Sequence, residues 1–256
     1  MLYIVLPAYN EEASISTILN NILNLSKKNL SDHKILIVIV NDGSEDNTEK
    51  TIDNFISSTL INEKNISIKK INHKMNQGLG AALKSGFEYV ISSAKDEDIL
   101  ISLDCDNTHP INLISSMVDK VTNGKDLVIA SRYQKNSKTI GVPFSRRMLS
   151  FSASILFKLF FPIKNVKDYT CGFRAYRINI LKKTQENITP FFSESGFPAM
   201  VDILLKIKKY YGDINAEELP MILRYDFKKG KSKMSVQKNI IQTLKLILKR
   251  RFSNKI

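Results

Sequence analysis

The stretch Ile99-Leu100-Ile101-Ser102-Leu103-Asp104-Cys105-Asp106 decides how this chain is interpreted. Its short apolar run predicts a strand, and two aspartates follow at the strand's carboxyl end. Carboxylate oxygens suit hard cations such as Mg²⁺ or Mn²⁺, which usually bind through one or two carboxylates together with substrate phosphates. The stretch therefore predicts a divalent metal site, held by Asp104 and Asp106, that clamps a phosphorylated substrate.

A second aspartate pair, Asp96 and Asp98, lies just before the same strand. At roughly 3.3 Å per residue, the strand separates the two pairs by about 20 Å. Ligands of open α/β sheets bind beyond the carboxyl ends of the strands. We therefore assign the site to Asp104 and Asp106 and interpret the earlier pair as a solvated turn.

Apolar runs alternate with amphipathic helical patterns on both sides of this strand. The predicted strands are 2–6, 34–40, 66–71, 98–103 and 127–130, and the predicted helices are 11–25, 46–58, 80–91 and 112–121. This alternation predicts an α/β fold with a Rossmann-like, doubly wound, mostly parallel sheet. Beyond it we predict a polar loop at 134–142, an apolar segment at 148–163, a helix near 198–210, a strand near 214–223 and a basic amphipathic helix at 236–251.

Composition narrows the class of protein. A hydrophobic content of 43% is enough for a packed core, and the two cysteines exclude a disulfide framework. The first residues form an apolar strand pattern without a charged leader, and no apolar stretch reaches 18 residues. We therefore expect a cytoplasmic protein without a spanning helix.

Positive charge is concentrated at the end of the chain. The net charge is +13, and ten basic residues and no acidic ones follow Phe227. Such a tail attracts anionic surfaces, either phospholipid or nucleic acid. The basic residues are not interleaved with aromatic stacking motifs, so we expect a membrane surface and no nucleic acid.

Polar loops follow three of the predicted strands, at 7–12, 41–48 and 104–110, and a glycine-containing loop occupies 76–80. Taken alone, 41–44 is typical of a turn, and Asn10 or Asp46 of a helix cap. Together, at one edge of a sheet, the loops predict a phosphate-binding site in which helix N-termini and glycine backbone approach the ligand.

These loops resemble the family-two glycosyltransferases of the GT-A fold. The motifs, in chain order, are P-A-Y-N-E-E, N-D-G-S-x-D-x-T, N-Q-G-L-G-A-A, L-D-C-D-x-x-H-P and A-S-R-Y. Two later motifs, D-Y-T-C-G-F-R-A-Y-R at 168–177 and G-K-S-K-M at 230–234, look like the dolichyl-phosphate mannose synthase branch. The resemblance implies a catalytic domain at 1–233 and a basic amphipathic helical tail at 234–256.

The resemblance also assigns roles to individual residues. It implies that Asp104 and Asp106 bind Mg²⁺ or Mn²⁺ and that Arg132 joins them as a catalytic residue. The implied nucleotide contacts are Pro7, Tyr9, Glu11 and Asp42. The implied contacts of the acceptor phosphate are Arg132, Arg146, Ser150, Arg174 and Lys233.

The chain departs from the family pattern at three positions. Asn41 stands where the family usually has an aspartate, and Thr108 replaces a glutamine that often helps to hold the metal. Phe227 replaces an arginine, for which Arg224, Lys228 or Lys229 are candidate substitutes.

The resemblance implies an inverting glycosyltransferase that moves a hexose from GDP-mannose, UDP-glucose or UDP-N-acetylglucosamine to a polyprenyl or dolichyl phosphate. The phosphate group of such an acceptor is already ionised at neutral pH, because its second pKa is about 6. Its attacking oxygen therefore needs cations to hold it in place and no general base. The alternative is transfer to a sugar hydroxyl of a polysaccharide or glycolipid. That reaction requires a carboxylate base, for which Asp168 and Glu194 are candidates.

Two segments predict peripheral binding at the cytoplasmic face of the membrane. Segment 148–163 is too short to span a bilayer but long enough to lie in its interface, and the helix at 236–251 carries an apolar stripe flanked by basic residues. The alternatives are an ordinary core helix and a helix packed on the catalytic domain.

Overall fold

The computed structural model describes residues 1–59, 63–196, 198–228 and 236–252. The strands are β1 (Leu2–Ala8), β2 (Ile35–Asn41), β3 (Ile66–Asn72), β4 (Ile99–Ser102), β5 (Leu127–Ser131), β6 (Lys138–Ile140), β7 (Arg174–Arg177), β8 (Ala216–Pro220) and β9 (Ile222–Arg224). The helices are α1 (Ile15–Asn29), α2 (Thr48–Thr59), α3 (Leu79–Ser93), α4 (Leu113–Thr122), α5 (Phe144–Phe160), α6 (Ile178–Asn187), α7 (Pro198–Tyr211) and α8 (Val236–Phe252), with a short 3₁₀ turn at Tyr225–Phe227.

A seven-stranded sheet with the order β3-β2-β1-β4-β7-β5-β8 forms the centre of the molecule. Strand β7 pairs antiparallel with both of its neighbours, and the other pairings in this sheet are parallel. Strands β6 and β9 form a separate parallel pair. This architecture confirms the predicted α/β class with a mostly parallel sheet.

Burial of apolar side chains explains why the central strands read as continuous hydrophobic runs. Leu2, Ile4 and Leu6 of β1 have no exposed surface, as expected of a sheet covered on both faces. Helix α1 covers the sheet with Ile15, Ile18 and other residues at helical spacing, all buried. The core thus fixes the strand ends that carry the polar loops.

The predicted elements up to residue 131 are present with boundaries shifted by a few residues. Later elements differ more. The predicted polar loop at 134–142 contains β6, the predicted strand at 214–223 is divided between β8 and β9, and β7 and α6 were not predicted. The division arises because β8 pairs with β5, whereas β9 leaves the main sheet to pair with β6.

The two aspartate pairs lie at opposite ends of β4, as predicted, but Asp98 is not solvated. It is 5% exposed and accepts a hydrogen bond from the Lys95 backbone at 2.8 Å. Its other oxygen lies 2.6 Å from the amino group of Met1. Asp98 therefore stabilises the turn before β4, and only Asp96 is open to solvent, 3.2 Å from Lys182.

Helix α8 packs against α5 and α7. Its Arg250 reaches Asp202 of α7, with Nη2 2.6 Å from the carboxylate, and Lys206 lies 2.8 Å from the same carboxylate. All three side chains are at most 6% exposed. The helix predicted at 236–251 is therefore packed against the rest of the fold. Within the described residues, no helix is both long enough and apolar enough to cross a membrane.

Candidate active site

The three polar loops meet because β2, β1 and β4 are neighbours in the sheet. All three strands run in parallel, so their carboxyl ends lie at the same edge. The Asn10 backbone donates to Ser44 Oγ at 3.0 Å, and the Glu45 backbone donates to Asn10 Oδ1 at 2.8 Å. The Glu11 backbone donates to Thr48 Oγ1 at 2.8 Å. The first two loops are thus held together as one polar surface.

Asp104 faces a cavity at this edge, with 42% of its side chain exposed. Its backbone N–H donates to Nδ1 of His109 at 3.2 Å, and Nε2 of His109 lies 4.0 Å from the Asp104 carboxylate. Desolvation by the surrounding protein raises the pKa of Asp104 and outweighs the opposing effect of His109. His109 therefore orients the start of the aspartate loop.

Asp106 is the buried member of the pair, at 7% exposed. One oxygen accepts hydrogen bonds from the Thr108 hydroxyl at 2.7 Å and the Thr108 backbone at 3.1 Å. The other lies 2.5 Å from Nζ of Lys228. Burial acts to raise the pKa of Asp106, but Lys228 and His109 more than offset it, so the pKa is lowered. Thr108 thus orients Asp106 where the family often has a glutamine.

The pair fits the chemistry of a magnesium or manganese site. Two carboxylates at a sheet edge, beside space for a ligand, are the usual protein contribution when substrate phosphates supply the remaining oxygens. Within the described residues, no group of three or more His, Cys, Asp or Glu side chains is arranged to hold a metal. With two carboxylates alone, substrate oxygens would have to complete the coordination of a metal bound here.

Among the predicted nucleotide contacts, Pro7 lines the cavity, and Tyr9 and Glu11 are partly exposed on the joined loops. Asp42 differs, because it is 2% exposed and both of its oxygens are engaged. It accepts hydrogen bonds from the backbones of Gln77 at 3.0 Å and Gly78 at 2.8 Å. The structure does not support the predicted nucleotide contact of the Asp42 carboxylate, which instead fixes the glycine-containing loop.

His73 is part of the same arrangement. Its Nδ1 lies 2.6 Å from Asp42 and its Nε2 lies 2.9 Å from Ser85 Oγ. Gly43 allows this packing, because a Cβ there would come within 2.3 Å of the Met75 backbone and its φ is +66°. The contact joins residues far apart in sequence, so no local pattern indicated it.

Arg132 lies at the end of β5 and is held by Asp168. Nε donates to Oδ2 at 2.8 Å, and Nη2 donates to Oδ1 at 2.6 Å. Desolvation acts to raise the pKa of Asp168, but Arg132 outweighs it and the pKa is lowered. Asp168 has no exposed surface, whereas 18% of the Arg132 side chain faces the cavity. Asp168 is therefore an orienting group for Arg132 and is not placed to act as a base.

Arg146 and Ser150 extend this polar surface along α5. Arg146 Nη1 donates to the hydroxyl of Tyr225 at 2.8 Å, and the hydroxyls of Ser150 and Thr170 lie 3.0 Å apart. Thr170 also accepts a hydrogen bond from Arg132 at 2.6 Å. The structure thus brings three of the predicted acceptor residues, Arg132, Arg146 and Ser150, to one wall of the cavity.

Arg174 does not join them. It is fully buried and donates to the backbone carbonyls of Cys171, Met200 and Tyr169 at 2.6–2.8 Å. This arrangement contradicts the predicted contact with an acceptor phosphate, because a ligand cannot reach a side chain enclosed in the core. Lys233 lies outside the described residues.

The cavity between these groups has a volume of about 470 Å³. Its polar lining includes Asp104, Asp106 and Lys228, together with Arg132 and Arg146. Helices α5 and α8 supply apolar lining, with Leu149, Ala153 and Leu156 from α5 and Ile240 and Leu244 from α8. The cavity is therefore amphipathic, because carboxylates, cations and hydrocarbon all line the same space.

A sheet of this order with an aspartate pair after β4 and a polar edge formed by three loops defines the class of GT-A glycosyltransferases. The chain matches the family model "Glycosyl transferase family 2" over residues 3–185 and belongs to that family.

Two similar proteins are named as mannosyltransferases that use a polyprenyl phosphate. The chain is 28% identical over 206 residues to the dolichol-phosphate mannosyltransferase of Pyrococcus furiosus, covering 80% of this chain and 52% of that protein. It is 26% identical over 231 residues to the undecaprenyl-phosphate mannosyltransferase of Micrococcus luteus, covering 90% of this chain and 86% of that protein. The chain thus spans about half the length of the Pyrococcus relative.

A solved structure confirms the fold. The glucosyl-3-phosphoglycerate synthase of Mycobacterium tuberculosis, in complex with Mn²⁺, UDP and phosphoglyceric acid, has a TM-score of 0.65 and 18% identity. The match covers 98% of this chain and 78% of that protein.

Proposed function

We propose that this chain is an inverting, metal-dependent glycosyltransferase that moves a hexose from a nucleotide sugar to a polyprenyl phosphate. The observation that carries the proposal is the amphipathic cavity, in which a metal-type aspartate pair and two arginines share one space with apolar walls. A lipid phosphate has the same division between a charged head and a hydrocarbon tail. The named relatives support this acceptor class, and they include mannosyl and N-acetylglucosaminyl transferases.

The donor diphosphate belongs at the carboxylate end. Asp104 and Asp106 would hold Mg²⁺ or Mn²⁺ there, which neutralises the charge that develops on a diphosphate leaving group. The loops containing Pro7, Tyr9 and Glu11 border this end and are the proposed nucleotide contacts. GDP-mannose, UDP-glucose and UDP-N-acetylglucosamine are the donors that we would test.

The acceptor phosphate belongs at the arginine wall. Arg132 presents part of its guanidinium to the cavity while Asp168 fixes its orientation, so little reorganisation is needed when an anion binds. Arg146 and Ser150 complete the proposed phosphate contacts. A phosphate oxygen that is already ionised attacks the sugar carbon without a general base.

Transfer to a sugar hydroxyl is less well supported. That reaction would need a carboxylate base in the cavity. Asp168 is enclosed by Arg132, and Glu194 lies 2.6 Å from Lys249. Both candidates predicted for that role are therefore engaged in ion pairs.

We further propose that α5 and α8 contact the membrane. Large apolar side chains of α5 recur every three or four residues and are 45–74% exposed at Phe144, Met148, Phe151, Ile155 and Leu159. On α8, Leu244, Leu248 and Phe252 are 48–76% exposed at the same spacing. The same two helices line the cavity, and their exposed apolar surface together with the basic residues of α8 favours an anionic lipid surface.

The donor end is tested by incubating the chain with each radiolabelled nucleotide sugar, polyprenyl phosphate and Mn²⁺. We expect one donor to give a labelled lipid, and chelation with EDTA to stop its formation. Asp104→Asn and Asp106→Asn should each abolish transfer while the circular dichroism spectrum stays unchanged. Full turnover in both variants would refute the assignment of the donor end.

A further inference from the structure

Lys228 forms an ion pair with Oδ2 of Asp106, one of the two proposed metal ligands. Its Nζ lies 2.5 Å from Oδ2, and the two side chains are only 14% and 11% exposed. The other oxygen of Asp106 accepts the hydroxyl and backbone hydrogen bonds of Thr108. Both oxygens of this carboxylate are therefore engaged, and a divalent cation bound at Oδ2 would lie next to the Lys228 ammonium unless Lys228 moves away.

We propose that Lys228 couples metal binding to nucleotide binding: it pairs with Asp106 in the free enzyme and transfers to the donor diphosphate when a divalent cation takes its place. The inference rests on the proposed function, because it requires Asp106 to be a metal ligand. It assigns Lys228 a contact with the leaving group and makes the binding of the metal and the binding of the nucleotide interdependent.

Charge explains why the two ligands must arrive together. An ammonium and a divalent cation repel each other at contact distance, and the repulsion is strong where water is largely excluded. Lys228, once displaced, is still a half-buried cation that needs an anion.

The nearby carboxylates do not offer Lys228 an equivalent new partner. Asp104 is the other proposed metal ligand, and Asp106 is the one being vacated. Glu11, whose charge also acts on Lys228, is a proposed nucleotide contact. A nucleoside diphosphate brings two or more negative charges to the same end of the cavity, which Lys228 also lines. Binding of the metal alone therefore costs free energy, because Lys228 is displaced without a new anionic partner. When a diphosphate binds as well, it supplies that partner. The difference between the two free energies of metal binding is the coupling free energy between the metal and the diphosphate.

Binding of Mn²⁺ to the full chain, followed by electron paramagnetic resonance of the free ion, tests the inference with and without GDP or UDP. Lys228→Met should bind Mn²⁺ alone about tenfold more tightly than the wild type, as expected from removing one charge-assisted hydrogen bond. The gain in Mn²⁺ affinity on adding the nucleotide should shrink by a similar factor. Lys228→Arg, which keeps the charge, should resemble the wild type.

Lys120→Met is the matched control, because it removes a lysine that pairs with Glu217 at 2.6 Å outside the cavity. It should leave both affinities unchanged. If Asp106→Asn weakens Mn²⁺ binding but Lys228→Met leaves the affinity and the nucleotide effect at wild-type values, the coupling role of Lys228 is refuted and the metal site stands. If Asp106→Asn binds Mn²⁺ as well as the wild type does, the proposed metal site fails and this inference fails with it.

Discussion

Arg132 and Asp168 form a two-bond ion pair at the wall of the cavity, with Nε–Oδ2 at 2.8 Å and Nη2–Oδ1 at 2.6 Å. The carboxylate is fully buried, and the guanidinium reaches the cavity with its remaining surface. Asp168 also accepts backbone hydrogen bonds from Arg132 and Cys171. The pair therefore converts a flexible arginine into a fixed cation at the proposed acceptor site.

Asp168→Asn should weaken transfer by releasing Arg132 from this orientation. We expect kcat/KM for polyprenyl phosphate to fall by about a hundredfold, the size typical of a small displacement of a positioning group. The KM for the nucleotide sugar should change much less, because Arg132 is assigned to the acceptor. Steady-state kinetics with each substrate varied in turn measure both values.

The control for that variant is Asp126→Asn, which removes a partly exposed carboxylate 3.9 Å from Arg177. It should leave kcat/KM within about twofold of the wild type, since exposed pairs contribute at most about 1 kcal/mol. An Asp168→Asn enzyme with an unchanged acceptor kcat/KM would contradict the positioning role.

The same pair should shape stability at low pH. Arg132 lowers the pKa of Asp168 in the folded protein. The stabilisation that ionised Asp168 gives to the folded state is therefore fully present above the unfolded-state pKa of about 3.9, and it is lost as the pH falls through the lower folded-state pKa. Asp168→Asn should therefore be less stable than the wild type at pH 7, by about 3 kcal/mol, and the difference should narrow below pH 4. Urea unfolding from pH 7 to pH 3 measures this, and a constant difference across the range would contradict it.

Arg174→Met should act on folding, not on acceptor binding. The substitution removes the guanidinium donor from three backbone carbonyls around a fully buried side chain, and each lost buried hydrogen bond costs about 1–3 kcal/mol. We expect the free energy of unfolding to drop by about 3 kcal/mol or more, while the KM for polyprenyl phosphate in the remaining folded enzyme stays near the wild-type value. A stable variant with a strongly raised KM would restore the acceptor role predicted from the motif.

The proposed membrane face can be tested by charge. Leu159→Glu combined with Leu248→Glu places two carboxylates on side chains that are 72% and 58% exposed on α5 and α8. Co-sedimentation with vesicles containing anionic lipid should fall by about tenfold or more, since each change costs apolar burial and adds repulsion. Met75→Glu, at a residue 70% exposed outside these helices, is the control and should bind as the wild type does. Equal binding of all three proteins would contradict the proposed face.

Much of the fold was predictable because the first half of the chain is locally consistent. Apolar runs mark β1, β2 and β4, and the carboxyl ends of parallel neighbours must lie at one edge, which placed Asp104 and Asp106 beside the loops at 7–12 and 41–48. Strand β7 was missed because its four residues include two arginines and carry no alternating pattern. Its position between β4 and β5 is set by pairing across the sheet.

Site residues were predicted less well where a motif did not reveal the direction of a side chain. Arg132 and Arg174 both lie in motifs of the resemblance, yet one faces the cavity and the other is buried in the core. The resemblance implied that Asp42 contacts the nucleotide. Its carboxylate is engaged by His73 and by the loop at 77–78, contacts that only the folded chain brings together.

The proposed acceptor site is tested most directly by comparing two acceptors that differ only in the phosphate group. With the donor that supports turnover, the enzyme should transfer the labelled hexose to polyprenyl phosphate and not to the matching polyprenol. The product should be acid-labile, as expected of a sugar linked through phosphate. Equal transfer to the polyprenol, or transfer only to a sugar hydroxyl, would contradict the proposal that the arginine wall holds an acceptor phosphate.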